Sequence, residues 1–150
     1  MKIESGKLKS PALDYTIATM ENLPIKYDPM GFGKTANGGY WIWPERSGVP
    51  DTRLAQQIGK GYGLAGCYSP SAQPALADAI VQRGKICTVY DHHWKHDPTD
   101  PDDNGDRWCA HVAGDGLSMC YGSTPCEAQM RAWVRHCRGP EVDVPEELLA

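Results

Sequence analysis

Several stretches of this chain carry residue types that could do chemistry. Tyr40, Trp41 and Trp43 stand in a glycine-rich segment, where aromatic rings suit stacking on a flat ligand; packing over the core explains them equally well. Tyr68-Ser69-Pro70-Ser71 precedes a run with helical spacing. The free N–H groups and dipole of a helix start favour an anion such as phosphate, and plain capping by Ser71 accounts for the same residues. Arg53 offers a guanidinium to pair with that anion. Trp94 and Trp108 complete the ligand-binding candidates.

Four other motifs read more simply. Gly31-Phe32-Gly33-Lys34-Thr35 ends like a phosphate-binding P-loop, but the position five before Gly33 is Asp28 and Asn37-Gly38-Gly39 follows instead of a helix. A surface loop is the better reading. Asp100, Asp102, Asn104 and Gly105 copy the first half of a calcium loop, yet the twelfth position, where a bidentate Glu belongs, is His111. A solvated hairpin loop is preferred. His92, His93, His96, Cys109 and His111 could gather around zinc, but no CxxC or HExxH spacing supports them, so no metal is expected. No GxSxG nucleophile elbow occurs, so no catalytic residue is assigned.

The elements that must position these residues are best written at Thr124 to Gly139. Thr124, Pro125 and Glu127 fit N-cap, N1 and N3 of a helix. Cys126, Met130, Trp133, Val134 and Cys137 make one apolar stripe, and Glu127, Arg131, Arg135 and Arg138 take the opposite face. Gly139-Pro140 ends it as a left-handed stop and a breaker. On this reading Cys126 and Cys137 are buried thiols and Trp133 is core. Two more helices are expected near 12–23, opened by Ser10-Pro11 with Leu13, Ile17 and Met20 on one face, and near 71–83. The latter starts from Ser71 with Pro74 at N3, buries Ala72, Ala75, Leu76, Ala79 and Ile80, and is closed by Gly84. Residues 85–94, 107–113 and 117–121 are β-rich and predict an antiparallel meander. Residues 24–66 read as an irregular Gly/Pro-rich excursion, with a short extended piece at Tyr40–Trp43 and a helical turn or two at Asp51–Ile58. The expected fold is α/β (α+β): one domain over 1–150, an antiparallel meander sandwiched by helices.

Bulk properties exclude some functions. The formal charge is −4. Residues 97–106 hold five aspartates and no base, leaving 15 bases against 14 acids elsewhere. That is no footprint for nucleic acid. No apolar run reaches membrane-spanning length, and the start of the chain lacks a signal-peptide core. The six cysteines read as cytosolic thiols.

The chain resembles the phage NinX-like family with its α-β-α (ABA) sandwich domain. The resemblance rests on Ala12-Leu13-Asp14-Tyr15, on Tyr68-Ser69-Pro70-Ser71 and on Trp108 in a strand. It continues through Thr124-Pro125 with Ala128-Gln129-Met130-Arg131-Ala132, and Glu141-Val142-Asp143-Val144-Pro145. It runs in order from about residue 12 to 148 and departs at Gln73-Pro74, where that family usually has an acidic residue and Trp. What the resemblance implies is a phage origin, the cytoplasm of an infected bacterium and an α/β sandwich. By analogy with small accessory phage proteins, the expected function is anti-defence: binding a nucleotide-derived immune signal, an ADP-ribose derivative or cyclic dinucleotide, without cleaving it. The alternatives are a protein–protein module that blocks a host enzyme, and a hydrolase of the same signal using His92, His93 or His111. The expected partner is a small nucleotide-type ligand, with no cofactor, nucleic acid or membrane, and with homo-oligomers allowed.

Overall fold

The computed structural model of the chain describes residues 1–29, 39–47, 49–50, 54–59, 66–91, 97–99 and 105–149. In chain order the elements are β1 (Lys2–Glu4), α1 (Ala12–Met20), β2 (Ile25–Asp28), β3 (Gly39–Ile42), β4 (Glu45–Arg46), β5 (Val49–Pro50), β6 (Gln56–Ile58) and β7 (Cys67–Tyr68). Then follow α2 (Pro74–Gly84), β8 (Ile86–Tyr90), β9 (Trp108–Val112), β10 (Asp115–Gly122), α3 (Pro125–Arg138) and β11 (Glu141–Asp143). The class is α+β, as the sequence predicts. The elements gather into two compact units, one through residues 10–69 with Met1 and 144–150, the other through 2–9 and 70–143.

The second unit holds the predicted meander. β8, β9 and β10 pair antiparallel in that order, with Thr88 opposite Ala110 and Cys120 opposite Ala110 on its other side. Side chains alternate between the two faces of such a sheet. Ile86, Ala110, Val112, Ser118 and Cys120 are buried on the face that α3 covers. Val89, Leu117, Met119 and Tyr121 are exposed on the other. Within this unit the helices therefore cover one face of the meander rather than sandwiching it. β11 pairs antiparallel with β1, a strand the sequence reading did not anticipate.

α3 forms as its caps dictate. The Thr124 hydroxyl accepts the Glu127 N–H at 3.2 Å, and the Glu127 carboxylate accepts the Ser123 N–H at 3.2 Å. Gly139 ends the helix at φ 91°, ψ −169°, an extended region open to glycine alone rather than the left-handed helical stop. Cys126, Met130 and Val134 are buried as expected, joined by Ala128 and Ala132. Cys137 is exposed and Trp133 only half-buried, which corrects the predicted stripe. The larger correction is Arg131, placed on the polar face by periodicity but 1% exposed. The helix is covered over more than one stripe, because the 3-10 turn at Ser5–Lys7 packs on it beside the sheet.

α2 also departs from its prediction. Gln73, not Ser71, is the N-cap, and Pro74 stands in the first turn, where its fixed φ and missing donor fit best. The buried residues are Ala77, Ile80 and Gly84, whereas Ala72, Ala75 and Ala79 are exposed. Gly84 does not cap the helix. It is the last helical residue, where a Cβ would lie 2.8 Å from the Trp133 ring, and Lys85 after it takes the left-handed conformation at φ 51°.

The first unit corrects the irregular reading of residues 24–66. A four-stranded sheet of order β2-β3-β6-β7 is mostly antiparallel, with β6 and β7 parallel. Gln56–Ile58 is a strand where a helical turn was expected. Runs of two to four residues separated by Gly and Pro are too short to show a period. Leu13, Ile17, Trp41, Ile42 and Ile58 supply buried apolar side chains in this unit, and Met20 is only half-buried.

Candidate functional site

β3 carries the first aromatic candidates, and the register with β2 divides them. Tyr40 pairs with Tyr27 and Trp41 with Lys26, so adjacent residues leave the strand on opposite faces. Tyr40 is half-buried. Its ring meets Tyr15 edge-on at 4.8 Å between centroids and Tyr27 at 4.9 Å. Burial raises its hydroxyl pKa, and the nearby Glu147 carboxylate raises it further, so this ring stands against negative charge. Trp41 is 2% exposed and belongs to the core, which removes it from any stacking role. The gain from burying a whole indole decides that placement.

Trp43, one step past β3, is half-buried. Its backbone N–H donates to the Pro24 carbonyl at 2.8 Å, which extends the β2–β3 pairing. The Lys26 ammonium stands 5.9 Å from the centre of the Trp43 ring and 3.4 Å from Glu45. Lys26 carries no signal of its own in the sequence because it falls in a stretch that reads as irregular. The signal was the short run Ile25-Lys26-Tyr27-Asp28, which is a strand.

The serine candidates are occupied differently from expectation. Tyr68 is 8% exposed on β7, opposite Ile58. The Ser69 hydroxyl donates to the Asp14 carboxylate at 3.0 Å, both side chains being buried. Ser69 thus ties β7 to α1 inside the first unit. Ser71 is buried at 6% exposure and lies ahead of the helix that begins at Pro74. The predicted phosphate cradle at a Ser71-capped helix start is therefore not formed there: the first free N–H groups of α2 belong to residues further along.

Trp108 is half-buried on β9 and meets Tyr90 edge-on at 5.0 Å, while Arg107 donates to the Tyr90 hydroxyl at 3.3 Å. This pair belongs to the second unit. Arg53 and Trp94 lie outside the described residues, as do His92, His93, His96, the Gly31–Thr35 stretch and Asp100 to Asn104. Among the described residues no three His, Cys, Asp or Glu side chains gather to hold a metal ion.

Two polar arrangements on the second unit had no sequence signal. Arg131 donates through Nε to the Leu8 carbonyl at 2.7 Å and through Nη1 to the Tyr121 carbonyl at 2.7 Å. Its Nη1 also lies 3.0 Å from Asp106 and from Glu127. A buried guanidinium so fully partnered is a structural clamp. His136 meets the Asp115 carboxylate at 2.7 Å and stacks on Trp133. That hydrogen bond holds the Asp115 carboxyl below its ordinary range.

A comparison with protein-family models finds no match to this chain, and a comparison with curated proteins finds none either. No helix among the described residues is long and apolar enough to cross a membrane. Of the aromatic candidates on the first unit, Trp43 carries a cation over its ring, the Lys26 ammonium.

Proposed function

We propose that this chain is a phage anti-defence protein that binds a nucleotide-derived immune signal and holds it without cleaving it in the cytoplasm of the infected host. The signal is an ADP-ribose derivative or a cyclic dinucleotide. The observation that supports this reading is the half-buried Trp43 with the Lys26 ammonium 5.9 Å from the centre of its ring. Stacking of a base on such a ring contributes about 1–3 kcal/mol. The Lys26–Glu45 contact at 3.4 Å joins side chains about half exposed, and a surface pair of that kind is weak enough for a phosphate to displace it. The chain's charge of −4 disfavours long polyanions, whereas a small anion responds to the local lysine.

The test mixes the protein with a panel of cyclic dinucleotides and ADP-ribose derivatives, follows the melting temperature, then denatures the complex and recovers the nucleotide. A rise in melting temperature with intact nucleotide returned is the expected result. Trp43→Ala and Lys26→Glu should each weaken binding on the order of tenfold, the loss of one stacked ring or one charge-assisted contact. Products in place of intact nucleotide would make the chain a hydrolase. An unmoved melting curve across the panel would leave the protein-blocking module as the function.

A further inference from the structure

Three tyrosines of the first unit meet on the face of β3 opposite to Trp41. Tyr27 and Tyr40 share a rung of the β2–β3 pair, and Tyr15 reaches Tyr40 from α1. The Tyr15 ring stands at 63° to Tyr40 and the Tyr27 ring at 42°, so neither lies flat on it. Each ring has two faces, and a contact of that kind covers at most one of them. Tyr27 is 49% exposed, while Tyr15 and Tyr40 are half-buried. Among the described residues none of the three hydroxyls is hydrogen-bonded, which leaves their oxygens open as acceptors. Glu147, exposed on the 3-10 turn Glu146–Leu148, has no ion-pair partner among those residues either. Burial raises the Tyr40 hydroxyl pKa first and the Glu147 carboxylate next, so this carboxylate borders the cluster.

We infer that this cluster binds an organic cation, an alkylammonium group held by the tyrosine faces and the Glu147 carboxylate. The charge argument is simple. An aromatic face carries partial negative charge, and a cation over it is attracted. A neighbouring carboxylate adds to that attraction, and here it has no counter-ion of its own among the described residues. The cation–π contact that the first unit does make falls on Trp43. An anion is repelled at the tyrosines, so the cluster is distinct from the Trp43 and Lys26 arrangement and asks for the opposite charge. A hard metal ion finds a single carboxylate where it needs six or more oxygens. An alkylammonium instead presents a charge clad in methyl or methylene groups, which suits ring and carboxylate together. That chemistry comes either from a free amine or from a methylated lysine side chain on a protein.

An NMR titration of the full chain, labelled in its tyrosine rings, tests this with tetramethylammonium chloride as the probe. The Tyr27 and Tyr40 ring signals should shift and saturate with a dissociation constant on the order of a millimolar. Tert-butanol, similar in shape and uncharged, should leave them in place. Tyr27→Ala should weaken binding on the order of tenfold, whereas Tyr27→Phe should keep most of it, because the ring face does the binding. Glu147→Gln should weaken it a few-fold. Since Tyr27 and Glu147 are exposed, these variants should keep the wild-type circular dichroism. Trimethyllysine within a peptide and free trimethyllysine separate the sources: tighter binding of the peptide assigns a protein side chain, and equal binding assigns a free amine. Ring signals unmoved by tetramethylammonium, or moved equally by tert-butanol, overturn the proposal. So does binding untouched by both Tyr27→Ala and Glu147→Gln. Any of these results leaves the nucleotide reading standing, because it rests on Trp43 and Lys26 and not on the tyrosines.

Discussion

At the scale of single residues, Arg131 is the side chain whose role periodicity misjudged most. Its guanidinium satisfies two backbone carbonyls and two carboxylates at once, from Leu8, Tyr121, Asp106 and Glu127. Removing it would strand those carboxylates, which are 17% and 20% exposed, beside two buried carbonyls. Arg131→Met should therefore cost about 2–4 kcal/mol in urea denaturation. Arg131→Lys should also destabilise, because an ammonium lacks the planar fork that spans these oxygens. The exposed Arg138→Met should change stability by less than about 0.5 kcal/mol. A loss under about 1 kcal/mol for Arg131→Met would mean that the clamp is ornamental.

Between elements, the close contact of α3 with β10 depends on small residues. Ala128 and Ala132 are 0% exposed on the helix. A Cβ added to Gly122 would lie 2.5 Å from the Ala128 backbone nitrogen, which a side-chain rotation cannot relieve. Gly122→Ala should therefore destabilise by about 1–3 kcal/mol through overpacking at the first turn of α3. Gly116→Ala, on the same strand with nothing within 4 Å, is the matched control and should leave the urea midpoint close to wild type. Equal midpoints for the two variants would show that α3 shifts freely on the sheet. The same logic explains why position 84 is glycine: the Trp133 ring occupies the space a side chain would need.

Over the whole molecule, charge decides which partners are compatible. Fifteen bases face nineteen acids, and five of those acids crowd residues 97–106. Duplex and single-stranded DNA should show unchanged gel mobility with this protein at low salt, where phosphate contacts are strongest. Retardation that fades as salt is raised would reveal a basic surface that net charge conceals.

The sequence by itself determined the parts governed by local physics. The capping pair Thr124 and Glu127 specified where α3 starts, Pro140 bounded its end, and the β-rich runs joined by short loops in 85–121 specified an antiparallel meander, because caps, composition and turns act within a few residues. Only tertiary structure decided which face of each element is covered. Arg131 became interior because a 3-10 turn from the start of the chain closes over α3. Pro74 moved the start of α2 past Ser71, and the Asp14 carboxylate took up Ser69. Strands β2 and β6 escaped notice because a strand of three or four residues has too few alternations to register, whereas the extended piece expected at Tyr40–Trp43 is β3. Their pairing comes from partners many residues away, as when Trp41 finds Gln57 and Lys26 on its two sides. That long-range pairing buried Trp41 and left Trp43 beside Lys26, so the candidate site was settled by contacts no local pattern encodes.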